Sequence, residues 1–266
     1  MVDGKALSHI VFNLPTEKNK KLKSILQIIS KDVKLQAYWR CANVMAIDRT
    51  GYSDHGPVHM KIVANSALKI LRILIKHGVI PNVVKDYAMT AEDAEIVVVL
   101  ASALHDLGMT IAREGHEEYS LFLSLNFLDS YLGSIYDKEQ AAIMSCEILH
   151  AISSHRDRGS PLTVEAGIVR IADALDMEQG RARIPFEAGK IGIHSVSALS
   201  IERVNIEEGV EKPITVRISM TSSAGIFQID QLLRNKIKNS GLEDYFHVVA
   251  VITGEKETKV IEKFEI

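Results

Sequence analysis

The chain has only two cysteines, Cys41 and Cys146, far apart and in no CxxC pair. Neither a disulfide framework nor a zinc ribbon is implied, and reduced thiols of a cytoplasmic protein are expected. A basic excess is also missing: 31 Lys and Arg stand against 34 Asp and Glu, leaving a net charge of −3. No global field is available to attract a nucleic-acid polymer, so none is expected as a partner. Met1 to Ile10 lack a basic stretch followed by an apolar one, so no secretory signal is evident. The longest apolar runs, such as Ile96 to Ala101, are far too short to span a bilayer, and no membrane partner is expected. Internal repeats and low-complexity tracts are absent.

What remains is a chain of 266 residues that is 47% hydrophobic, enough for a sizeable core in one large domain or one domain with an appendage. Helical periodicity covers Lys18 to Ser30, Val33 to Arg49, Glu92 to Leu104, His116 to Leu132, Lys138 to Ser154 and Val164 to Met177. Asp54-His55-Gly56-Pro57 reads as a helix start, with Asp54 as N-cap and Pro57 in the first turn, for a helix reaching about His77. Its inward stripe is His59, Val63, Ser66, Ile70 and Leu74. After Arg183-Ile184-Pro185 the texture changes. Leu199 to Ile206, Ile214 to Met220 and Phe246 to Ile252 read as strands, and Ile226, Ile229, Leu233 and Ile237 keep helical spacing up to Gly241. The expected organisation is an all-α domain over 1–185 and a smaller α+β domain over 186–266.

Leu104-His105-Asp106-Leu107-Gly108 ends an apolar helix. Adjacent His and Asp at the edge of a core are an odd choice unless something binds them, because desolvating lone ionisable groups is costly. His59 and Asp173 lie in similar apolar surroundings on two other helices. His, His-Asp and Asp together suit a hard or borderline divalent cation. Both members of the His105-Asp106 pair reach one site only where the backbone turns, and Gly108 is expected to permit that turn. His116 and His155, at helix ends, are placed for a second metal. The bland alternatives are a core histidine at His59, a metal-free helix cap at His105-Asp106, and an Asp173–Arg170 pair at i−3.

The ordered set His59, His105-Asp106, His116, His155, Asp173 resembles the HD superfamily of metal-dependent phosphohydrolases over about residues 50 to 185. DHGPVH, LHDLGM, GHEEYS and PLTVEAGIVRIADALDMEQGRARI are most similar to an uncharacterised HD group with a C-terminal α+β extension. The resemblance implies a mainly α HD-domain helical bundle, with His59, His105, Asp106 and Asp173 holding a first divalent metal. Asp106 would bridge to a second held by His116 and His155. One or two ions are expected, among Mn, Fe, Mg, Ni, Co and Zn. The implied activity is hydrolysis of a phosphomonoester or phosphodiester of a small metabolite, a nucleotide, by metal-activated water. His105, Asp106 and Arg113 are the expected catalytic residues. Arg156, Arg158, Arg181 and Arg183 are candidate phosphate clamps, because the guanidinium fork matches phosphate geometry, and His55 is placed to touch substrate or orient a ligand. Met109 stands where the HD-GYP branch has Lys, and Gly159-Ser160-Pro161 where it has Gly-Tyr-Pro, so cyclic dinucleotide specificity is not supported. Leu107 to Thr110 lacks the acidic pair of the ppGpp hydrolase branch, and the Glu of the deoxynucleoside monophosphatase branch is also missing. Two other functions fit the scaffold: a di-iron oxygenase such as inositol oxygenase, or a non-catalytic metal-stabilised sensor. The α+β region could form a homodimer or cover the site.

Overall fold

The structure, a computed structural model, describes residues 10–156, 159–181, 197–253 and, as backbone, 263–265. The helical part runs α1 (Lys20–Lys31), α2 (Val33–Asn43), α3 (Pro57–Lys76), α4 (Asn82–Tyr87), α5 (Ala91–Leu104), α6 (His116–Leu132), α7 (Lys138–Ser153) and α8 (Val164–Leu175). Caps read from the sequence are in place: Asp137 accepts from Gln140 N at 2.8 Å and Thr163 from Ala166 N at 3.2 Å. Two details differ. The N-cap of α3 is Gly56, and Asp54 Oδ1 accepts the Gly56 N–H at 2.7 Å, so Asp54 shapes the approach and does not cap the helix. The helix expected over Val33 to Arg49 also changes pitch, becoming a π-helix over Val44–Arg49 before Gly51 turns it at φ +66°. The short α4 was not expected. It is held at its start by Glu165 of α8, which accepts from Asn82 N at 3.0 Å and Val83 N at 3.1 Å.

The helix α5 is the axis of the bundle. Every residue from Ile96 to Leu104 is buried, and α3, α7, α8, α1 and α4 pack around it. This follows from a helix apolar on all sides, since each fully buried Val, Ile or Leu contributes about 1.5–3 kcal/mol of transfer free energy. At its C-terminal end Trp39 of α2, which stacks on Phe12 with ring centroids 5.2 Å apart, donates its indole N–H to the Ala103 carbonyl at 2.8 Å.

The C-terminal part forms a four-stranded sheet in the order β1 (Ile201–Glu208), β2 (Ile214–Met220), β3 (Phe246–Ile252), β4 (Lys263–Glu265). The β1–β2 and β3–β4 pairs are antiparallel. The β2–β3 pair is parallel, and a helical run, α9, makes the crossover from Ile226–Gln228 through a π-turn at Ile229–Leu233 to Arg234–Lys238. The sheet packs on α3 and α9 packs on α8. A Cβ on Gly167 of α8 would lie 2.5 Å from the Ser240 carbonyl oxygen, so the glycine allows this close approach. Apolar residues of both parts form one continuous core. The expected boundary at 185 falls in 182–196, outside the described residues. No helix among the described residues is long and apolar enough to cross a membrane.

The α5 start is locked by a capping box in which Asp93 also accepts from Lys21 at 2.7 Å and Tyr136 at 2.5 Å. Burial pushes the Asp93 carboxyl up, but the Lys21, Tyr136 and Thr90 bonds outweigh it and hold the group below its ordinary value. The stabilisation is therefore present above the ordinary carboxyl range and lost as pH falls through the lowered value. Asp93→Asn is expected to cost about 2 kcal/mol at neutral pH. Denaturant titrations of both proteins should show the gap closing below about pH 4; a gap independent of pH would contradict this assignment.

Candidate metal centre

Five helices bring side chains to one point. His59 comes from the first turn of α3, His105 from the C-cap of α5, and His116 from the first position of α6. His155 follows the end of α7, and Asp173 and Asp176 lie at the end of α8. The C-termini of α5, α7 and α8 thus converge, adding partial negative charge that favours a cation, against the opposed N-termini of α3 and α6. Asp106 starts the turn after α5, which continues as a 3₁₀ stretch over Leu107–Thr110. Gly108 is needed there for a reason other than the expected one. Its φ is not positive, but a Cβ would lie 2.0 Å from the His116 carbonyl oxygen and 2.8 Å from Ser120 N. The glycine lets the turn dock on the start of α6. Ser120 fastens it, accepting the Gly108 N–H at 2.8 Å and donating to the His105 carbonyl at 2.5 Å.

The Asp106 carboxylate divides the site in two. Its Oδ2 lies 3.5 Å from His59 Nε2 and 3.3 Å from His105 Nε2, while Asp173 Oδ1 lies 3.5 and 3.8 Å from the same two nitrogens. Its Oδ1 lies 3.0 Å from His116 Nε2 and 3.7 Å from His155 Nε2, and those nitrogens are 3.3 Å apart. Ligands held at about 2.1 Å around one cation stand about 3.0–3.5 Å from each other, and both sets are close to that spacing.

The outward nitrogens explain why the set suits a cation. His59 Nδ1 lies 2.6 Å from Asp176 Oδ2, and Nδ1 of His105, His116 and His155 lies 2.6–2.8 Å from the carbonyls of Ser102, Arg113 and Ile152. Each Nδ1 must donate to such an acceptor, which leaves four Nε2 lone pairs aimed inward beside carboxylate oxygens. The Nε2 atoms of His59 and His105 are only 3.3 Å apart, a contact two lone pairs cannot share as a hydrogen bond. Positive charge between them resolves the conflict. The carboxylates favour it: burial and Arg181 press the His59 ring down, yet Asp106, Asp173 and Asp176 hold it up at about 10. Burial likewise opposes protonation of His105, which Asp106 and Asp173 hold up at about 9. Burial pushes the Asp106 carboxyl up, but His105 foremost, together with the hydrogen bond from His116, outweighs it and keeps the group well below the usual carboxylate range. Residues of this kind and spacing fit one divalent cation in each half.

The HD domain family model matches residues 59–178, and the chain is 44% identical over 244 residues to the uncharacterized protein MJ1020 of Methanocaldococcus jannaschii, covering 92% of this chain and 93% of that protein. The chain belongs to the HD superfamily of metal-dependent phosphohydrolases. The HD domain is therefore the helical bundle, and its name-giving pair is His105-Asp106.

The other expected residues are arranged around the HD centre. His55 Nδ1 donates to the Ser53 carbonyl at 2.6 Å, and its Nε2 accepts from Arg113 Nη1 at 3.0 Å. Burial pushes this ring down to about 3 against the pull of Asp106, so it stays neutral as a support for Arg113. Its Nε2 is 4.0 Å from Asp106 Oδ2, at the rim of the site. Arg113 also lies over the Tyr52 ring, 4.8 Å from its centroid. Arg181 Nη2 reaches within 3.3 Å of His59 Nε2 while its other nitrogens bond the Asp54 and Asp176 carbonyls. Arg156 is partly buried beside His155, and its charge depresses the Arg113 pKa after burial does. Arg158 and Arg183 lie outside the described residues. Arg170 donates to the Ser154 and Gly159 carbonyls, at 3.3 and 2.7 Å.

Sequence reasoning missed Asp176, Ser120 and Lys236. Asp176 had a signal, its i+3 spacing from Asp173. The other two become visible only once α6 and α9 are packed. Two variants test the support of the centre by calorimetric titration of chelator-stripped protein with Mn²⁺. Asp176→Ala is expected to weaken binding about 10–100-fold with the fold retained. Gly108→Ala is expected to lower Tm and reduce metal binding together, because α6 must shift; full Mn²⁺ affinity in either protein would contradict the role given to that residue.

Proposed function

We propose that the protein hydrolyses a phosphate ester of a small metabolite, a nucleotide, with residues 1–185 as the catalytic domain and 186–266 as a second domain. The observation that carries this reading is the division of Asp106, one oxygen facing His59 and His105, which Asp173 also faces, and the other facing His116 and His155. Divalent cations held there would lower the pKa of water and neutralise phosphoryl charge. Asp106 keeps the two halves in register because its oxygens face one half each, and His105, its neighbour in the chain, belongs to the first half. Arg113, braced by His55 and Tyr52, and Arg181, braced by two carbonyls, present guanidinium groups at the rim. Guanidinium N–H groups form charge-assisted hydrogen bonds to phosphoryl oxygens, and Arg181 has Nη2 left for one while its other two nitrogens are held by carbonyls. Arg113, Arg181 and Lys236 lie close enough to offset charge on Asp106, Asp173 and Asp176, and divalent cations would add positive charge suited to an anionic substrate.

Metal-loaded protein is expected to release phosphate, or cleave a diester, in a screen of nucleotides and simple phosphoesters. A chelator should abolish the reaction and Mn²⁺ restore it. Folded His105→Ala and Asp106→Ala variants are expected to lose at least about 10²–10³-fold in rate. Oxygen uptake by iron-loaded protein without phosphate release would favour an oxygenase on the same donors. A ligand that raises Tm without being turned over would favour a sensor.

A further inference from the structure

An aromatic ring stands at the rim of the centre on backbone that is held from several sides. The π-helical stretch Val44–Arg49 is followed by Gly51, which turns the chain at φ +66°. The Tyr52 N–H then donates to the Ala46 carbonyl at 2.7 Å, and three residues on the His55 N–H donates to Asn43 Oδ1 at 2.9 Å. Helical pitch of this irregular kind recurs at functional sites. Although its backbone is fixed, Tyr52 is 46% exposed. Arg113 covers part of the ring, its guanidinium carbon 4.8 Å from the centroid, while its Nη1 donates to His55 Nε2 at 3.0 Å. His55 Nε2 is in turn 4.0 Å from Asp106 Oδ2. Outward from the cluster the order is therefore carboxylate, imidazole, guanidinium, aromatic ring. A nucleotide presents its groups in a matching order: an anionic phosphate for the cations and the guanidinium, then a sugar, then a flat base. A tyrosine on fixed backbone has only two side-chain torsions to restrict, so it offers a stacking surface at low entropic cost. Support of Arg113 uses only the covered part of the ring, and the exposed part is left for a ligand.

We propose that Tyr52 is a specificity residue that stacks on the base of a nucleotide substrate. The inference rests on the phosphohydrolase reading of the same centre and deepens it. It narrows the substrate class to phosphate esters that carry a planar aromatic group beyond the sugar.

The test uses the full chain loaded with Mn²⁺ and titrated calorimetrically with two probes that hydrolysis cannot cleave, the methylene phosphonate analogues of adenosine 5′-phosphate and ribose 5-phosphate. Both carry the anionic group and the sugar, and only the first carries a base. The wild type is expected to bind the first at least about tenfold more tightly, the order expected for one base stacked on one aromatic side chain. Tyr52→Leu should bring the two affinities together. Tyr52→Phe and Tyr52→Trp should keep the preference, because the ring and not the hydroxyl stacks. Loosening of Arg113 weakens both probes alike, so the ratio of affinities separates stacking from support. Where Tyr52→Leu folds poorly, Tyr52→Met takes its place. A wild type with no preference for the base overturns the proposal, as does a preference that survives Tyr52→Leu or one that Tyr52→Phe abolishes. If the wild type binds the base through Tyr52 but cleaves no ester, the proposal stands and the hydrolytic reading falls. If it cleaves esters but shows no preference for the base, only the proposal falls.

Discussion

A buried carboxylate that must be neutralised on both of its oxygens is the constraint on which the rest depends. Asp106 is 3% exposed, and an isolated charge at that depth would cost several kcal/mol. The fold answers by surrounding it with imidazoles from four separate segments of chain. Each imidazole is turned the same way, because its Nδ1 faces an acceptor behind it. Three of those acceptors are backbone carbonyls three residues earlier in the chain, two in the last turns of α5 and α7 and one just before α6, so the local backbone itself aims those rings. The fourth, Asp176, is a side chain, and this makes His59 the most negatively supported of the set.

That arrangement explains why the turn after α5 is built as it is. His105 closes a helix that is apolar on every side, and Asp106 leaves it on the next residue. Both can face one point only if the backbone bends at once and is held there. Ser120 ties the two ends of the bend, and the missing side chain of Gly108 allows α6 to approach within contact of it. The approach of α6 in turn places His116 beside Asp106 Oδ1. The second half of the centre is thus a consequence of how the first half is folded.

Much of this was legible in the sequence. The helices α1, α3 and α5 to α8 and the strands β1 to β3 follow from periodicity and caps, and six residues that meet at the centre follow from polar side chains on apolar stripes and at helix ends. Each of those signals is local or repeats along one helix. What was not legible depends on packing between distant segments. The glycine at 108 could be read as a turn residue, but its actual demand, set by the His116 carbonyl, exists only in the folded bundle. The π-helical stretch after α2 has the same apolar content as an α-helix and changes only the hydrogen-bond pitch. Lys236 sits in a run of charged residues near the end of α9, where a solvated lysine is the usual expectation. Nothing in its neighbours distinguishes it from Lys238.

The α+β region therefore deserves a different physical description from an appendage. Its sheet lies against α3, which carries His59, and its helix lies against α8, which carries Asp173 and Asp176. Both contacts fall on helices that hold the centre, and one apolar core runs through the whole. Protein interiors are dense and transmit displacement instead of absorbing it. A change in how the sheet and α9 seat on the bundle would move two of the three carboxylates relative to Asp106. The spacing that makes the centre fit divalent cations is in this sense set from both parts of the chain.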